Sequence, residues 1–455
     1  MQTTEQAMLL HAVYFAAFGH LNDSQLRQSP FQSIVEGQTS LFRMVQSMYH
    51  FHSQARPSDT LILAQVAVLL SFWSPYDSSV EVNSFWAAEA IRHSLQSGPF
   101  DAPAPTSGQK RMVMWCSLVR NRTIVLGLRR PRLLFDAVDP GRLPEPEDFR
   151  YSLTASSSSS VSSWKKSDRC AAAAFIFLCQ LSRIMAAIIK SRTAVQWVPW
   201  WQDSLGMGQF SRVGHAMELE RRLNAWDQEF ERCYHAQGVH WVGDEDYAYL
   251  HILSIMHMGT RVALWEDQLL SWSLSKANTT SQMLCDLAFL KMIEISSEIA
   301  QLVQVVTDQI RGEFLPPTLL AWLIVPIATQ LLKANNSQRQ DVIFENDPER
   351  SKPNAMVRTL GLLKPRFQGA GFVAEMIENL YDAFLHPLAT SRSLQRRNHQ
   401  HQYDYHEEDT GLCSRLVSPN PHEGNEAEPQ LLARIVRFIQ RGLSMEIVHF
   451  VAWNQ

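Results

Sequence analysis

Apolar residues recur every three or four positions along most of this chain, and this spacing is the feature that most limits its fold. It is typical of helices, because side chains three and four residues apart share one helical face. We find no run of alternating β-branched residues bounded by hairpin turns, so strands are not expected. The pattern predicts an all-α fold, a large multi-helix domain of about fourteen to sixteen helices.

The best-defined predicted helix spans residues 112–126, with Gly127 as its expected C-cap. Lys and Arg are frequent around it, which suggests a nucleic-acid contact. However, apolar residues interleave with them at core spacing. We therefore expect these arginines to cover apolar surface with their stems or to pair with acids such as Glu145, Glu147 and Asp148.

The charge balance argues against DNA binding by the chain as a whole. The 455 residues carry 41 Lys and Arg against 45 Asp and Glu, a net charge of −4. Because phosphate neutralisation needs local positive charge, any DNA contact is expected to come from another module. The six cysteines include no C-x-x-C pair, so a local zinc ribbon or redox pair is excluded.

Composition along the chain divides it into one domain and two short additions. Residues 1–385 form the helical domain, with a flexible serine loop near 155–163 and a polar loop near 335–353. Residues 386–429 are rich in His and Gln and are expected to be disordered. Residues 430–455 are expected to form a closing helix that packs on the domain.

Catalytic signatures are absent from the sequence. It contains no H-E-x-x-H, no G-x-S-x-G and no phosphate-binding P-loop. An all-α terpene cyclase would need an aspartate cluster on a helix to hold magnesium. The nearest candidates are Asp136 with Asp139, which Pro140 follows directly, and residues 244–246, which precede a helix and suit its N-terminus. We therefore expect no catalytic residue and no enzyme activity.

One local group of residues could bind a metal. His399, His401, His406 and Cys413 lie close together, but in a hydrophilic segment interleaved with charges. A structural zinc site needs four ligands on a closed fold, so a solvated segment is the preferred interpretation. We expect no metal or other cofactor in this chain.

Two apolar stretches are candidates for membrane spans. Residues 61–73 are too few to cross a hydrocarbon core of about 30 Å. Residues 315–332 are longer, but Pro316, Pro317 and Pro326 interrupt them, and a buried helix that begins at proline explains them better. We therefore expect no membrane contact.

The predicted helix at 112–126 and the residues after it resemble the middle homology region of fungal zinc-cluster transcription factors, especially the cutinase-factor-like branch. In that family, W-W-S-x-x-x-R-D-R leads to L-G-x-R-R-P and then to an acidic strap containing proline. Here residues 114–122 are M-W-C-S-L-V-R-N-R, residues 126–131 are L-G-L-R-R-P, and residues 143–149 are L-P-E-P-E-D-F. The matching signature residues are Trp115, Arg120, Arg122, Gly127, Arg129, Arg130 and Pro131.

Other stretches agree in order, and the similarity covers most of residues 5–385. Residues 219–226 resemble the family's L-x-x-W segment, and 314–317 resemble the start of an apolar helix in the cutinase-factor branch. Three departures stand out. Met114 replaces a tryptophan, Asn121 replaces an aspartate, and residues 263–266, A-L-W-E, stand where the family usually has L-H-R-P.

The resemblance implies a nuclear transcription regulator of fungal metabolic genes, plausibly those of a secondary-metabolite cluster. It implies as partners the transcription machinery or another transcription factor, and a small-molecule inducer. The family binds DNA through a six-cysteine cluster that holds two zinc ions and needs two C-x-x-C pairs, which this sequence lacks. Zinc and DNA contact are therefore expected only in a module absent from this chain. A co-regulator or inhibitor that acts through a partner factor is the alternative, and an all-α small-molecule enzyme is a remote one.

Overall fold

A computed structural model describes most of the chain and shows helices throughout. It describes residues 4–54, 59–73, 83–98, 107–130, 138, 140–149, 166–196, 207–236, 248–273, 279–340, 355–381 and 427–453. Within these ranges there are fourteen α-helices, two short 3-10 helices and no strand. The predicted all-α, multi-helix fold class is confirmed.

The α-helices include the one predicted at 112–126, which the structure extends to Ser107–Gly127. They are α1 (Thr4–Phe18), α2 (Asp23–Arg27), α3 (Ile34–Gln54), α4 (Thr60–Leu70), α5 (Asn83–Gln96), α6 (Ser107–Gly127), α7 (Lys166–Gln196), α8 (Met207–Ala236), α9 (Ala248–Ser273), α10 (Thr279–Gln309), α11 (Leu319–Gln340), α12 (Ala355–Leu363), α13 (Gln368–Leu380) and α14 (Glu428–Trp453). The 3-10 helices are Pro146–Phe149 and Gly312–Phe314.

The N-terminal helices α1, α3, α4 and α5 enclose an aromatic core of their own. Phe42 stacks on Trp73 with ring centroids 4.8 Å apart, and Trp86 meets the edge of Phe42 at 6.0 Å. Asp59 is the N-cap of α4, because its carboxylate accepts the backbone N–H groups of Leu61 and Ile62 at 2.9 and 3.2 Å. The N-terminal core thus forms from residues that are close in sequence.

The larger core is built from α7 to α14 and includes the last turn of α6. Helix α9 packs along α10, and α11 lies against both of them. Helix α6 runs from one core to the other: Met114 and Leu118 pack on Ile91 of α5, whereas Ile124 and Leu126 belong to the larger core. The signature helix therefore joins the two halves of the fold.

Helix α11 extends into the predicted loop near 335–353. It continues to Gln340, because residues 335–340 are polar but include no Gly or Pro that would stop a helix. Residues 341–354 lie outside the described part of the chain. So do the serine run at 155–163 and nearly all of the insert at 386–429. The closing helix predicted at the C-terminus is α14, which buries Leu432, Val436 and Ile439.

One described helix is long and apolar enough to cross a membrane. Within residues 168–192 of α7, a window of 18 residues has a mean hydropathy of 2.0. Of this window, 56% is buried inside the fold, and Leu181, Met185 and Ile188 lie in the larger core. Burial to this extent is typical of a helix in a protein core, and such helices can be as long and as apolar as a membrane span.

Candidate functional site

The first half of α6 holds the acidic strap against the domain. The indole Nε1 of Trp115 donates to the carbonyl of Arg142 at 3.0 Å, and the ring is fully buried. Arg111 Nη1 donates to both carboxylate oxygens of Asp148 at 2.9 and 2.6 Å. The predicted pairing of a helix arginine with Asp148 is confirmed. One contact lies before the 3-10 helix Pro146–Phe149 and the other within it, and both hold the strap on α6.

Arg122 connects α6 with α7. Its Nη1 donates to Ser182 Oγ at 3.1 Å, and its Nη2 donates to the carbonyl of Val138 at 3.2 Å. The residue is 2% exposed, so its charge is withdrawn from solvent. Arg183 of α7 lies over the Trp115 ring at 5.4 Å and donates to the carbonyl of Gly141. Helix α7 and the strap are thus attached to the same face of α6.

Gly127 is not the predicted C-cap. It is the last residue of α6, and the left-handed backbone comes two residues later, at Arg129, with φ of 53°. A Cβ atom at Gly127 would lie 2.8 Å from Cβ of Ala321 in α11. Glycine is needed there because two helices approach too closely for any side chain.

Gly127→Ala is therefore expected to destabilise the fold by about 1–3 kcal/mol, because the new methyl group overlaps Ala321. Alanine otherwise favours a helix by about 1 kcal/mol over glycine. Gly214 of α8 is the matched control, since a Cβ there meets nothing within 4 Å. Urea unfolding of both variants tests this. A Gly127→Ala protein as stable as Gly214→Ala would refute the close approach.

Arg129 makes the most buried charged contact that the structure shows. Its Nη2 lies 2.8 Å from Glu266 Oε2 in α9, and the side chains are 2% and 0% exposed. Arg129 Nη1 also donates to the carbonyl of Ala321 at 3.0 Å and to that of Gly127. Gln440 of α14 donates to Glu266 Oε1 at 3.0 Å. One ion pair therefore ties the end of α6 to α9, α11 and α14.

The pair is compatible with its burial because it is fully hydrogen-bonded. Burial acts to raise the pKa of Glu266, but the charge and hydrogen bonds of Arg129 outweigh it and hold the pKa below its usual value. The next residue behaves differently: burial raises the pKa of Asp267, although Arg192 lies 3.5 Å away. Glu266 is therefore ionised and Arg129 is its counter-ion.

Arg120 attaches α6 to the residues that follow α4. Arg120 donates from Nε to Ser71 Oγ at 3.0 Å and from Nη2 to the Ser71 carbonyl at 2.6 Å, and its guanidinium covers the Phe72 ring at 4.2 Å. Arg130 is buried, with 3% of its surface exposed. Pro131 lies outside the described residues. From α6 and the three residues after it, the arginines thus reach the N-terminal core, the strap and the larger core.

The sequence pattern predicted Asp148 as a partner of α6 but missed the partners of Arg122 and Arg129. Glu266, Ser182 and Gln440 belong to no motif of their own. One signal was available: Glu266 follows Ala-Leu-Trp in an apolar stretch of α9, where a carboxylate has to be paired if it is buried. The A-L-W-E departure from the family pattern therefore supplies the acid that Arg129 binds.

A second buried polar group lies where α8 meets α9. His257 stacks on Trp226 with ring centroids 4.9 Å apart, and its Nε2 lies 3.1 Å from the Leu223 carbonyl. Burial, reinforced by the Arg261 charge, lowers the pKa of His257 to about 3. The imidazole is therefore neutral at pH 7 and belongs to the core.

His257 is expected to make stability fall as the pH falls from about 6.5 to about 3. In that window the unfolded chain binds a proton that the folded chain excludes. The free energy of unfolding therefore falls by up to about 1.4 kcal/mol for each pH unit. His257→Phe keeps the stack on Trp226 and should flatten the profile. His235→Phe, at an exposed position, should leave it unchanged. Equal acid slopes for the wild type and His257→Phe would contradict this.

Within the described ranges, no group of three or more His, Cys, Asp or Glu is placed to hold a metal. The group formed by His399, His401, His406 and Cys413 lies outside those ranges. The acids weighed for a diphosphate site, Asp136, Asp139 and residues 244–246, also lie outside them.

Two known proteins are similar to this chain in sequence. Cutinase transcription factor 1 beta of Fusarium vanettenii is 21% identical over 361 residues, which cover 73% of this chain. The chain is related to fungal transcription factors. A protein named only as a transcription factor, from Fusarium pseudograminearum (strain CS3096), is 27% identical over 157 residues, or 33% of this chain. The resemblance to the cutinase-factor-like branch is thus confirmed.

These matches cover only part of the relatives. The aligned region is 40% of the length of the first relative and 17% of the second. No family profile matches the chain, and no solved structure matches it.

Proposed function

We propose that this chain is the regulatory region of a nuclear transcription regulator. The similarity to a named fungal transcription factor over 361 residues carries the proposal. The contacts of α6 support it, because the residues that resemble the family signature are the ones that join the strap and the two cores. Such a region acts as a control platform, which transmits a signal through its packing.

Burial of the arginines supports the proposal that another module contacts DNA. Arg111, Arg122 and Arg129 are each at most 7% exposed, and each is bound within the fold. Charges withdrawn in this way cannot neutralise phosphates. In this proposal DNA is therefore contacted by a zinc-cluster module outside this sequence, or by a partner transcription factor. The genes under control are metabolic genes, with a secondary-metabolite cluster as the leading candidate.

Chromatin immunoprecipitation of the tagged full chain in its native fungus tests the proposal. We expect nuclear staining and enrichment at the promoters of a group of co-expressed metabolic genes. If recruitment disappears when a co-purifying zinc-cluster factor is deleted, the chain is a co-regulator. A protein excluded from the nucleus and from chromatin, whose deletion changes only a metabolite, would overturn the proposal and favour an enzyme.

A further inference from the structure

A pocket of about 50 Å³ lies beside α6, where the N-terminal core meets the larger core. Its apolar walls come from distant parts of the chain: Phe15 of α1, Trp73 after α4, Leu128 after α6 and Phe367 before α13. Gln368 also lines it and is exposed, so the pocket opens to solvent. Junctions between packed bodies are common places for ligand sites.

Gln38 of α3 places a buried amide in this pocket. The residue is 7% exposed, and its side chain makes no hydrogen bond to any part of the chain that the structure describes. An amide carries an acceptor oxygen and two N–H donors, and burying them without partners costs free energy. Gln38 therefore offers a ligand a donor and an acceptor side by side.

The position of this amide is limited by a glycine and an aromatic ring. A Cβ atom at Gly19 would lie 2.7 Å from Nε2 of Gln38 and 2.6 Å from Cε1 of Phe367. The amide therefore lies directly against the Gly19 backbone, beside the Phe367 ring, where only a residue without a side chain leaves it room. This packing restricts the orientation of Gln38 before any ligand arrives.

Two further polar groups of the wall already have partners inside the fold. Arg120 donates to the hydroxyl and the carbonyl of Ser71, and Asn83 Oδ1 accepts from Ser84 Oγ at 3.4 Å. Among the described residues that line the pocket there is no Asp or Glu. A charged ligand would lose its hydration here without gaining an unengaged counter-ion, so a neutral ligand fits better.

The volume and the amide together limit the ligand. One water needs about 10–15 Å³ of such space, so about 50 Å³ admits a molecule of about three to five non-hydrogen atoms. We propose that this pocket binds a short aliphatic primary amide, of the size of acetamide. Its carboxamide pairs with Gln38 through one N–H···O bond in each direction, and its methyl group lies among the apolar walls. The binding stands by itself, and only its use as a regulatory signal rests on the proposed function.

Ligand-detected saturation-transfer NMR on the purified full chain tests the site. Acetamide is titrated beside two controls of the same shape: acetone, which only accepts hydrogen bonds, and acetate, which only accepts them and is charged. We expect saturable acetamide binding with a Kd of about 1 mM, and binding of each control that is at least about tenfold weaker. If a control binds as tightly as acetamide, or acetamide does not saturate, water alone occupies the pocket and the inference is wrong.

Two variants place the binding at Gln38. Gln38→Met keeps the length of the side chain but has no amide, so it should weaken acetamide binding at least about tenfold. Gln301→Met, at an exposed position of α10, is the matched control and should bind acetamide as the wild type does. If Gln38→Met does not fold, Gln38→Leu takes its place, and the ligand series on the wild type is unaffected. Acetamide binding that persists unchanged without the Gln38 amide would overturn the inference.

Discussion

Arg129→Met is expected to lower the free energy of unfolding by about 3–5 kcal/mol, because it leaves the Glu266 carboxylate buried without its counter-ion. Glu266 is fully buried, and Gln440 alone cannot neutralise it. The left-handed backbone at position 129 is the same for Arg and Met, so the loss reports the contacts of the guanidinium, with Glu266 and with the carbonyls of Gly127 and Ala321. Chemical denaturation at pH 7 measures it.

Two further variants isolate the ion pair. Arg129→Met combined with Glu266→Leu removes both charges and should recover most of the loss, since a buried pair can often be replaced by apolar groups. Arg221→Met breaks an exposed pair with Glu218 and should change the stability little, because water screens that pair. A double variant no more stable than Arg129→Met would show that packing, and not charge, holds this junction.

Trp115→Ala is expected to cost about 3–5 kcal/mol, because it empties a fully buried aromatic site between α6, α7 and the strap. The change also removes the hydrogen bond to the Arg142 carbonyl. Trp115→Phe keeps most of the ring surface and loses that bond, so it should cost less. A melting temperature for Trp115→Ala equal to that of the wild type would show that the strap is not held by this helix.

The helices could be predicted because they depend on local patterns. Periodicity placed α6, and an Asp directly before an apolar run, such as Asp59 before α4, is a local signal for the start of a helix. The pairing of the α6 arginines with the acidic strap was also within reach, because Arg111 and Asp148 belong to neighbouring segments. Each of these predictions uses information contained in a short stretch of sequence.

The long-range contacts of the site could not be predicted in the same way. Glu266 is 137 residues from Arg129 along the chain, and no spacing rule links them. Gly127 illustrates the same limit: a glycine at the end of a helix suggests a C-cap, whereas its reason is the approach of Ala321. Burial decides whether an arginine binds phosphate or an internal carboxylate, and burial depends on the whole fold.

RNA sequencing of a deletion strain, complemented with the wild type or with Arg129→Met, tests whether this chain regulates transcription through a fold held together at the end of α6. We expect a coordinated group of metabolic transcripts to change on deletion, to return with the wild type, and to stay changed with Arg129→Met. A transcriptome that deletion leaves unaltered, under conditions where the protein is expressed, would contradict it.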